Sequence, residues 1–247
     1  MLNIAHRGYS QVAPENTLAA FEAAARCGAD MIETDIHVCG SGEIVVVHDD
    51  DVAATTDGTG RVANLTLAEL KRLDAGAWFS PAFAGQRIPT LDDLIEFYQA
   101  HPGLELLLEF KGDWAEADAR RVADALSDAS LRDRCILESF SPATMAALQR
   151  VAPNFRRGLL IDTPYGPPTH SVEQLITFAQ ELGCMALCPA VELTLNHPDL
   201  VAKCHAAGLQ VMVWTADQPA EFTALINLKV TGICTNRPGY LAGHLTG

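Results

Sequence analysis

Short apolar segments alternate with longer amphipathic segments along most of the chain, and this alternation limits the fold more than any other feature. Nine segments have the length and the aliphatic content of strands, and apolar residues recur at helical spacing between them. Such an alternation predicts a parallel sheet covered by helices. The candidate strands are residues 2–5, 31–38, 44–47, 104–110, 135–139, 158–161, 185–188, 210–214 and 232–235.

The number of repeating units indicates a closed barrel. Residues 44–47 can continue or pair with the second strand, which leaves eight strand–helix units in 247 residues. Eight units at this length are typical of an α/β fold of the (β/α)8 TIM-barrel type. A doubly wound open sheet is the alternative, because periodicity does not show whether a sheet closes.

Several residues mark the ends of helices. Thr90, Ser141 (followed by Pro142) and Asn16 have the side chains of helix N-caps, and Gly28 is a typical helix stop. For Asn16, at the start of the first helix, this structural role is preferred to a catalytic one.

One region interrupts the alternation. Residues 49–86 are rich in Gly, Thr and Ala, with one short helical pattern at "TLAELKRL" and aromatic residues in "GAWFSPAFAG". We interpret this region as an insertion over one end of the barrel, where it forms part of the substrate pocket. The chain as a whole, residues 1–247, is expected to be a single domain.

Composition and charge exclude some functions. Hydrophobic residues make up 49% of the chain and charged residues 19%, as in globular proteins. The net charge of −14 argues against nucleic-acid binding, because no basic face is present to neutralise phosphates. It also disfavours an anionic substrate, unless a cation occupies several of the carboxylates.

The cysteines and the apolar runs indicate the compartment. The seven cysteines form no CxxC pair, so we expect free thiols in a reducing environment and no zinc–thiolate site. The first residues lack the pattern of a signal peptide, and no apolar run is long enough to span a bilayer. We therefore expect a cytoplasmic protein without stable membrane insertion; a monomer and a dimer are both compatible with the sequence.

Acidic residues interrupt two of the candidate strands. Glu33 and Asp35 are two residues apart, so a strand directs both side chains to the same face, and Glu109 and Lys111 repeat this spacing. Carboxylates that converge from two strands are suitable oxygen ligands for Mg²⁺ or Ca²⁺. The alternative is a Lys111–Glu109 ion pair beside two carboxylates that are hydrogen-bonded in the core.

Two histidines follow strands in the same way. His6 and His48 each lie just past the C-terminal end of a strand, on the face that carries catalysis in this fold. A lone histidine there is more often structural, but two of them beside a carboxylate cluster favour proton transfer. One can deprotonate a nucleophile while the other protonates a leaving oxygen, as cleavage of a phosphate ester requires.

The motifs around these residues resemble those of the glycerophosphodiester phosphodiesterase family of the bacterial, cytoplasmic type. They are "HRG", "PENT", "AF", "GAD", "IETD", "HD", "TTDGTG", "LLEFK", "VWTAD" and "TNRP", and they cover nearly the whole chain. The resemblance implies a (β/α)8 barrel, a divalent cation and a pair of catalytic histidines. It also implies hydrolysis of glycerophosphodiesters to sn-glycerol 3-phosphate and an alcohol.

The resemblance assigns metal ligation, acid–base catalysis and phosphate binding to seven residues. These are Glu33, Asp35 and Glu109 for the metal, His6 and His48 for proton transfer, and Arg7 and Lys111 for the phosphate. We favour His6 as the base and His48 as the acid. The nucleophile is either water or the glycerol hydroxyl next to the phosphate, which would give a transient cyclic phosphate.

Two further residues are candidates for the site. Glu15 is expected to hydrogen-bond either Arg7 or a histidine ring. Trp214, at the end of a strand, is either an apolar wall for the glycerol or leaving group or a core aromatic that closes the barrel.

The sequence departs from the family pattern in two places. Ala53 and Ala54 lie in the segment where the family commonly has an arginine, so one anchor of the insertion is missing. Asn236 replaces the usual aspartate in "TNRP", which is expected to weaken a distal hydrogen bond without affecting the metal site.

Two other functions remain as alternatives. The first is a lipid phosphodiesterase of the lysophospholipase D or sphingomyelinase D kind, for which "AWFSPAF" is the only candidate apolar patch. The second is a non-catalytic protein that binds glycerophosphoryl compounds.

Overall fold

Nine strands form one sheet in the computed structural model, which describes residues 1–162 and 171–245. Their bounds agree with the sequence prediction to within two residues. In chain order, β1 to β9 are Leu2–His6, Met31–Val38, Ile44–Val46, Glu105–Phe110, Cys135–Ser139, Arg156–Ile161, Ala186–Pro189, Gln210–Val213 and Gly232–Thr235.

The sheet closes into a barrel. Its order is β1-β9-β8-β7-β6-β5-β4-β2, and β1 also pairs with β2, so each of these eight parallel strands has two neighbours. The ninth strand, β3, pairs antiparallel with β2 and lies outside the ring. The (β/α)8 barrel is therefore confirmed, and the open sheet is excluded by the β1–β2 pairing.

Helices connect the strands. In chain order, α1 to α10 are Leu18–Arg26, Leu67–Leu70, Leu91–Ala100, Glu116–Asp128, Pro142–Val151, Val172–Glu181, Val191–Asn196, Leu200–Ala206, Pro219–Leu228 and Pro238–Leu245. Thr90 caps α3 in a reciprocal capping box with Asp93, and Ser141 caps α5 with Pro142 at its first position, as predicted.

The predicted cap of the first helix is wrong. The Thr17 side chain, not that of Asn16, accepts the hydrogen bond from the Ala20 backbone N–H at the start of α1. Asn16 adopts a left-handed backbone with φ of 55°, a conformation that asparagine tolerates better than most residues. Its amide is thereby available for contacts elsewhere.

The strands bury one face against the helices and the other inside the barrel. Along each strand, residues that face the helices alternate with residues that face the barrel interior. The inward-facing residues are mostly aliphatic or contain sulfur. They are Ile4, Met31, Leu107, Ile136, Leu160, Ala186, Cys188, Met212 and Cys234. This packed layer forms the floor on which the site is built.

Residues 49–86 have a small core of their own. They form the short helix α2 and three single 3₁₀ turns, and their apolar residues pack with Val45 of β3. Val52 is fully buried there, whereas Ala53 and Ala54 are exposed. Apolar packing around Val52 therefore holds the segment at the point where an arginine anchor was expected.

All seven cysteines are free, and six of them are buried. Within residues 1–162 and 171–245, the helices are all too short or too polar to cross a membrane.

Candidate active site

A pocket of about 510 Å³, part of which is open to solvent, lies at the C-terminal ends of the barrel strands. Seven of the eight predicted site residues line it, and the eighth, Asp35, is fully buried behind the lining. The described lining residues are His6, Arg7, Glu33, His48, Leu107, Glu109, Lys111, Glu138, Phe140, Leu160, Cys188, Met212, Trp214, Thr215 and Cys234.

The three predicted metal ligands form a compact cluster. Glu33 and Asp35 lie on β2, and Asp35 pairs in register with Glu109 on β4. One carboxylate oxygen from each residue lies within 4.8 Å of the others, and all three residues are buried. Buried oxygen ligands at this spacing fit a hard divalent cation such as Mg²⁺ or Ca²⁺.

The charges in the cluster are not balanced by the protein alone. Burial, and then the charges of Asp35 and Glu109, raise the pKa of Glu33 well above its usual value. Burial and Asp35 likewise raise the pKa of Glu109 to about 8. Burial also opposes the ionisation of Asp35, but Lys111 and Arg7 outweigh it and hold the pKa of Asp35 below its usual range. A bound cation would remove this repulsion.

Asp35 is held with one oxygen free. The Asn16 Nδ2 donates to Asp35 Oδ2 at 2.8 Å, and the Thr34 hydroxyl donates to Asn16 Oδ1 at 2.6 Å. Asp35 Oδ1 is buried and has no hydrogen-bond partner, although Lys111 Nζ lies 3.5 Å away. The free oxygen agrees with a role in metal ligation, and Asn16 orients it.

A tight turn directs Arg7 toward this cluster. Arg7 and Gly8 follow β1 with φ values of 56° and 81°. A Cβ on Gly8 would lie 2.7 Å from Ala20 of α1, so only glycine allows the turn and the helix to approach this closely.

Arg7 contacts the cluster through both its backbone and its side chain. Its backbone N–H donates to Glu33 Oε2 at 3.0 Å, and its Nη1 donates to Glu15 Oε1 at 2.8 Å. Of the two partners proposed for Glu15, the structure shows Arg7. The buried Arg7 Nε has no hydrogen-bond partner and lies 3.7 Å from Asp35 Oδ2. Arg7 therefore retains a donor for a ligand.

Lys111 lies on the other side of the cluster. Its Nζ is 2.9 Å from Glu109 Oε1. Burial lowers the pKa of Lys111, but the charges of Asp35 and Glu109 outweigh burial and raise it above the ordinary value. Lys111 is thus charged. The charged side chains of Arg7 and Lys111 flank the acidic cluster in the pocket wall.

Hydrogen bonds fix the orientation of the His6 ring. Its Nδ1 lies 2.7 Å from Asn236 Oδ1, while Asn236 Nδ2 donates to Asp217 Oδ2 at 2.7 Å. A carboxylate only accepts, so Asp217 binds the amide nitrogen and the amide oxygen faces the histidine. His6 therefore carries its proton on Nδ1, and the lone pair is on Nε2.

The environment of His6 keeps the ring neutral. Burial, and then the charge of Arg7, lower its pKa to about 4 despite the hydrogen bond to Asn236. Its Nε2 lies 3.9 Å from Glu33 Oε2, beside the acidic cluster. A neutral imidazole with a free Nε2 is suited to accept a proton.

His48 has different partners. Its Nδ1 lies 2.7 Å from Asp49 Oδ1, and its backbone carbonyl accepts from His37 Nε2 at 3.0 Å. Because the Asp49 carboxylate accepts the proton on Nδ1, any proton that His48 delivers must be on Nε2. The two histidines therefore face one pocket with unlike partners, an amide and a carboxylate.

Trp214 forms an apolar side of the pocket. Its indole Nε1 donates to the Cys188 carbonyl at 2.8 Å, and its ring meets Phe140 edge-on at 5.3 Å. Trp214 therefore has a fixed position at the mouth of the barrel, in contact with the space available to a ligand.

The contribution of the insertion to the substrate pocket stays a prediction. The described lining includes no residue from 49–86, because this segment packs on β3 through its own apolar core. Asp49 of this segment holds His48.

Sequence reasoning missed the residues that hold the predicted ones. The sequence pattern indicates a helix cap at Asn16, and it assigns no role to Asp49 or Asp217. The change from aspartate at Asn236 was expected to weaken a distal contact, yet Asn236 bonds His6 directly. The available signal was position, because Asp217 and Asn236 both follow the C-terminal ends of barrel strands.

Comparison with known proteins gives consistent results. The model of the glycerophosphoryl diester phosphodiesterase family matches residues 6–240. A glycerophosphodiester phosphodiesterase of Caldanaerobacter subterraneus is 34% identical over 239 residues, which cover 96% of this chain and 94% of that protein.

Solved structures resemble the fold along its whole length. An Oleispira antarctica phosphodiesterase in complex with the product sn-glycerol-3-phosphate has a TM-score of 0.84 and 28% identity, covering 99% of this chain and 96% of that one. A glycerophosphodiester phosphodiesterase from Agrobacterium tumefaciens has a TM-score of 0.83 and 28% identity, covering 97% of this chain and 98% of that one.

Proposed function

This chain belongs to the glycerophosphoryl diester phosphodiesterase family, and we propose that it hydrolyses glycerophosphodiesters to sn-glycerol 3-phosphate and an alcohol. The observation that carries this proposal is the pocket itself. Two histidines, two positively charged side chains (Arg7 and Lys111) and a buried carboxylate cluster meet there at the catalytic face of the barrel. These are the groups needed to bind a phosphodiester and to transfer protons on either side of it.

Glu33, Asp35 and Glu109 are the proposed ligands of one divalent cation, Mg²⁺ or Ca²⁺. Two observations support this proposal. The Oδ1 of Asp35 has no hydrogen-bond partner and can act as a ligand atom, and the raised pKa of Glu109 reflects burial and repulsion from Asp35 that a cation would relieve. When bound, such a cation polarises phosphoryl oxygens and offsets their charge.

Arg7 and Lys111 are the proposed phosphate-binding residues. Arg7 presents a planar guanidinium whose Nε is unpartnered, and Lys111 adds a charged ammonium from the facing side of the cluster. Together with the proposed cation, they reconcile an anionic substrate with the net charge of −14, because all three place positive charge where the phosphate would bind.

His6 is the proposed general base and His48 the proposed general acid. His6 Nε2 takes the proton of the nucleophile, which is water or the adjacent glycerol hydroxyl. His48 gives a proton from Nε2 to the leaving alcohol oxygen, while Asp49 holds its ring through Nδ1. The neutral state of His6 supports its assignment as the base.

The test is release of sn-glycerol 3-phosphate from glycerophosphocholine, with and without EDTA, by the wild type and by His6→Ala and His48→Ala. We expect chelation to abolish release and each variant to lose roughly 10²–10⁴-fold in kcat. His205→Ala, which removes an exposed histidine on α8, is the matched control and should be unaffected.

Each assignment can fail separately. Full activity after thorough chelation would remove the cation from the proposal, and full activity of His6→Ala would remove His6 as the base. Faster turnover of lysophosphatidylcholine than of glycerophosphocholine would favour a lipid phosphodiesterase. No release by folded, metal-loaded protein would favour a binding protein.

A further inference from the structure

Two polar side chains in the described pocket lining, Glu138 and Thr215, have no role in the reaction proposed above. Glu138 lies on β5, next to Glu109 on one side and Gly158 on the other. It therefore belongs to the same ring of inward-facing residues as the acidic cluster, one strand further around the barrel.

Glu138 is buried without adequate partners. Its exposure is only 2%, and its Oε2 has no hydrogen-bond partner among the described residues. The thiol of Cys188, a weak donor, interacts with its carboxyl group. Burial, and then the charge of Glu109, raise the pKa of Glu138 to about 8. Because most buried polar groups in proteins are hydrogen-bonded, an incompletely paired carboxyl group in a pocket indicates a ligand.

The neighbouring strand places no side chain beside this carboxyl group. Gly158 has no side chain, and a Cβ there would lie 2.9 Å from Cys188 Sγ and 3.6 Å from Glu138 Oε2. A larger residue at this position of β6 would therefore press on the Cys188 thiol and lie in contact with the unpaired oxygen. The surrounding floor is otherwise apolar, with Leu107 and Leu160 in the lining.

We propose that Glu138 binds the terminal hydroxyl of the glycerol moiety and thereby determines specificity for glycerophosphodiesters. This inference rests on the function proposed above. A hydroxyl fits because it donates to a carboxylate and accepts from a carboxylic acid, so it pairs with Glu138 in either protonation state. A phosphoryl oxygen fits less well, because it only accepts and therefore pairs with Glu138 only when the carboxyl group is protonated.

The order of the strands explains why the glycerol lies here. The groups assigned to the phosphate and cation come from the ends of β1, β2 and β4, and β5 is the next strand in the ring. The glycerol carbons can lie on Leu107 and Leu160, while the terminal hydroxyl, which is farthest from the phosphate, reaches Glu138. The leaving alcohol varies among substrates, and the half-buried His48 at the mouth leaves that side open to it.

The experiment compares two substrates and three variants. The substrates are glycerophosphocholine and 2-hydroxypropyl phosphocholine, which lacks only the terminal hydroxyl and keeps the hydroxyl next to the phosphate. For the Mg²⁺-loaded wild type, we expect kcat/KM to be roughly 10–100-fold higher for glycerophosphocholine. Glu138→Leu should reduce this preference to nearly 1, and Glu138→Gln, which keeps hydrogen-bonding atoms, should retain most of it.

Glu181→Leu is the matched control, because it makes the same substitution at an exposed position of α6 outside the described pocket lining. It should retain the wild-type preference. An unchanged preference in a folded Glu138→Leu variant would overturn the inference while leaving the proposed function intact.

Isothermal titration calorimetry tests whether Glu138 binds the terminal hydroxyl without requiring turnover. The ligands are sn-glycerol 3-phosphate and 2-hydroxypropyl phosphate, each added to the Mg²⁺-loaded protein. Tighter binding of sn-glycerol 3-phosphate to the wild type, lost in Glu138→Leu, would support the role of Glu138 even if hydrolysis were not observed. Equal binding of both ligands to the wild type would refute it.

Discussion

Replacing Glu109 by glutamine should make the metal-free protein more stable, although it removes a proposed metal ligand. Glu109 is buried beside Asp35, and burial followed by this neighbouring charge raises its pKa from 4.5 to about 8. In the unfolded chain the same group ionises near its usual value. Folding therefore works against the ionisation of Glu109 at neutral pH.

The sign and the size follow from this difference. A carboxyl group whose pKa is raised on folding contributes no penalty below pH 4.5, and its penalty grows as the pH rises toward about 8. At pH 7 the penalty is about 3 kcal/mol. Glutamine removes it but weakens the 2.9 Å contact with Lys111, so we expect a net gain of about 2 kcal/mol in the free energy of unfolding. For a chain of this length, that gain raises Tm by roughly 4–8 °C.

Thermal unfolding in EDTA at pH 5 and pH 7.5 measures the effect, followed by titration with Mg²⁺ or Ca²⁺. Added cation at 100 times its Kd should stabilise the wild type by about 2.7 kcal/mol and the variant by much less. Glu105→Gln is the control on the same strand. Glu105 is half-buried and pairs with Arg156, so its loss should change stability by less than about 1 kcal/mol.

Two results would refute this reasoning. If Glu109→Gln were less stable than the wild type in EDTA at pH 7.5, the carboxylates would not repel one another in the folded protein. If the variant retained the full stabilisation by cation, Glu109 would not be a ligand.

Three further predictions concern the residues around the site. Because the pKa of His6 is lowered to about 4, kcat/KM at saturating cation should persist as the pH falls through 6.5. An acid limb at or above 6.5 that further cation does not shift would exclude His6 as the base. Asn236→Ala frees the His6 ring to adopt the other tautomer, so kcat should fall roughly 10–100-fold with little change in KM. The ¹⁵N spectrum of the His6 ring should show loss of the form protonated on Nδ1. An unchanged spectrum would contradict this prediction. Asn16→Ala releases Asp35, so the apparent affinity for the activating cation should fall roughly 10–100-fold, and an unchanged affinity would show that Asn16 does not orient this ligand.

The barrel could be predicted from the sequence because each strand carries its own signal. Strands of a parallel sheet are buried on both faces, so β4 and β5 are short, mostly apolar runs, and each carries an inward-facing glutamate, Glu109 or Glu138. Closure of the sheet has no local signal, since it depends on the pairing of β1 with β2. The family resemblance supplied this information.

The predicted site residues converge because spacing by two places side chains on one face of a strand, as for Glu33 and Asp35. The residues that support them could not be predicted in this way. Asn16 and Thr17 both have side chains that cap helices, and only the left-handed backbone at Asn16 directs its amide into the barrel instead. Asp217 and Asn236 contact each other across two loops, so their relation depends on tertiary structure alone.

Unpaired polar atoms identify the ligand-facing parts of this site more directly than residue type does. Among the described residues, five buried side-chain atoms lack a hydrogen-bond partner, and three of them belong to Arg7, Asp35 and Glu138 at the pocket. A folded chain rarely leaves such atoms unpaired, because each costs about 1–3 kcal/mol. The three atoms differ in chemistry: a guanidinium donor suits a phosphoryl oxygen, a carboxylate oxygen suits a cation, and the second carboxyl group suits a hydroxyl. The proposed function and the proposed role of Glu138 require these three kinds of contact, so the two proposals together account for all three unpaired atoms.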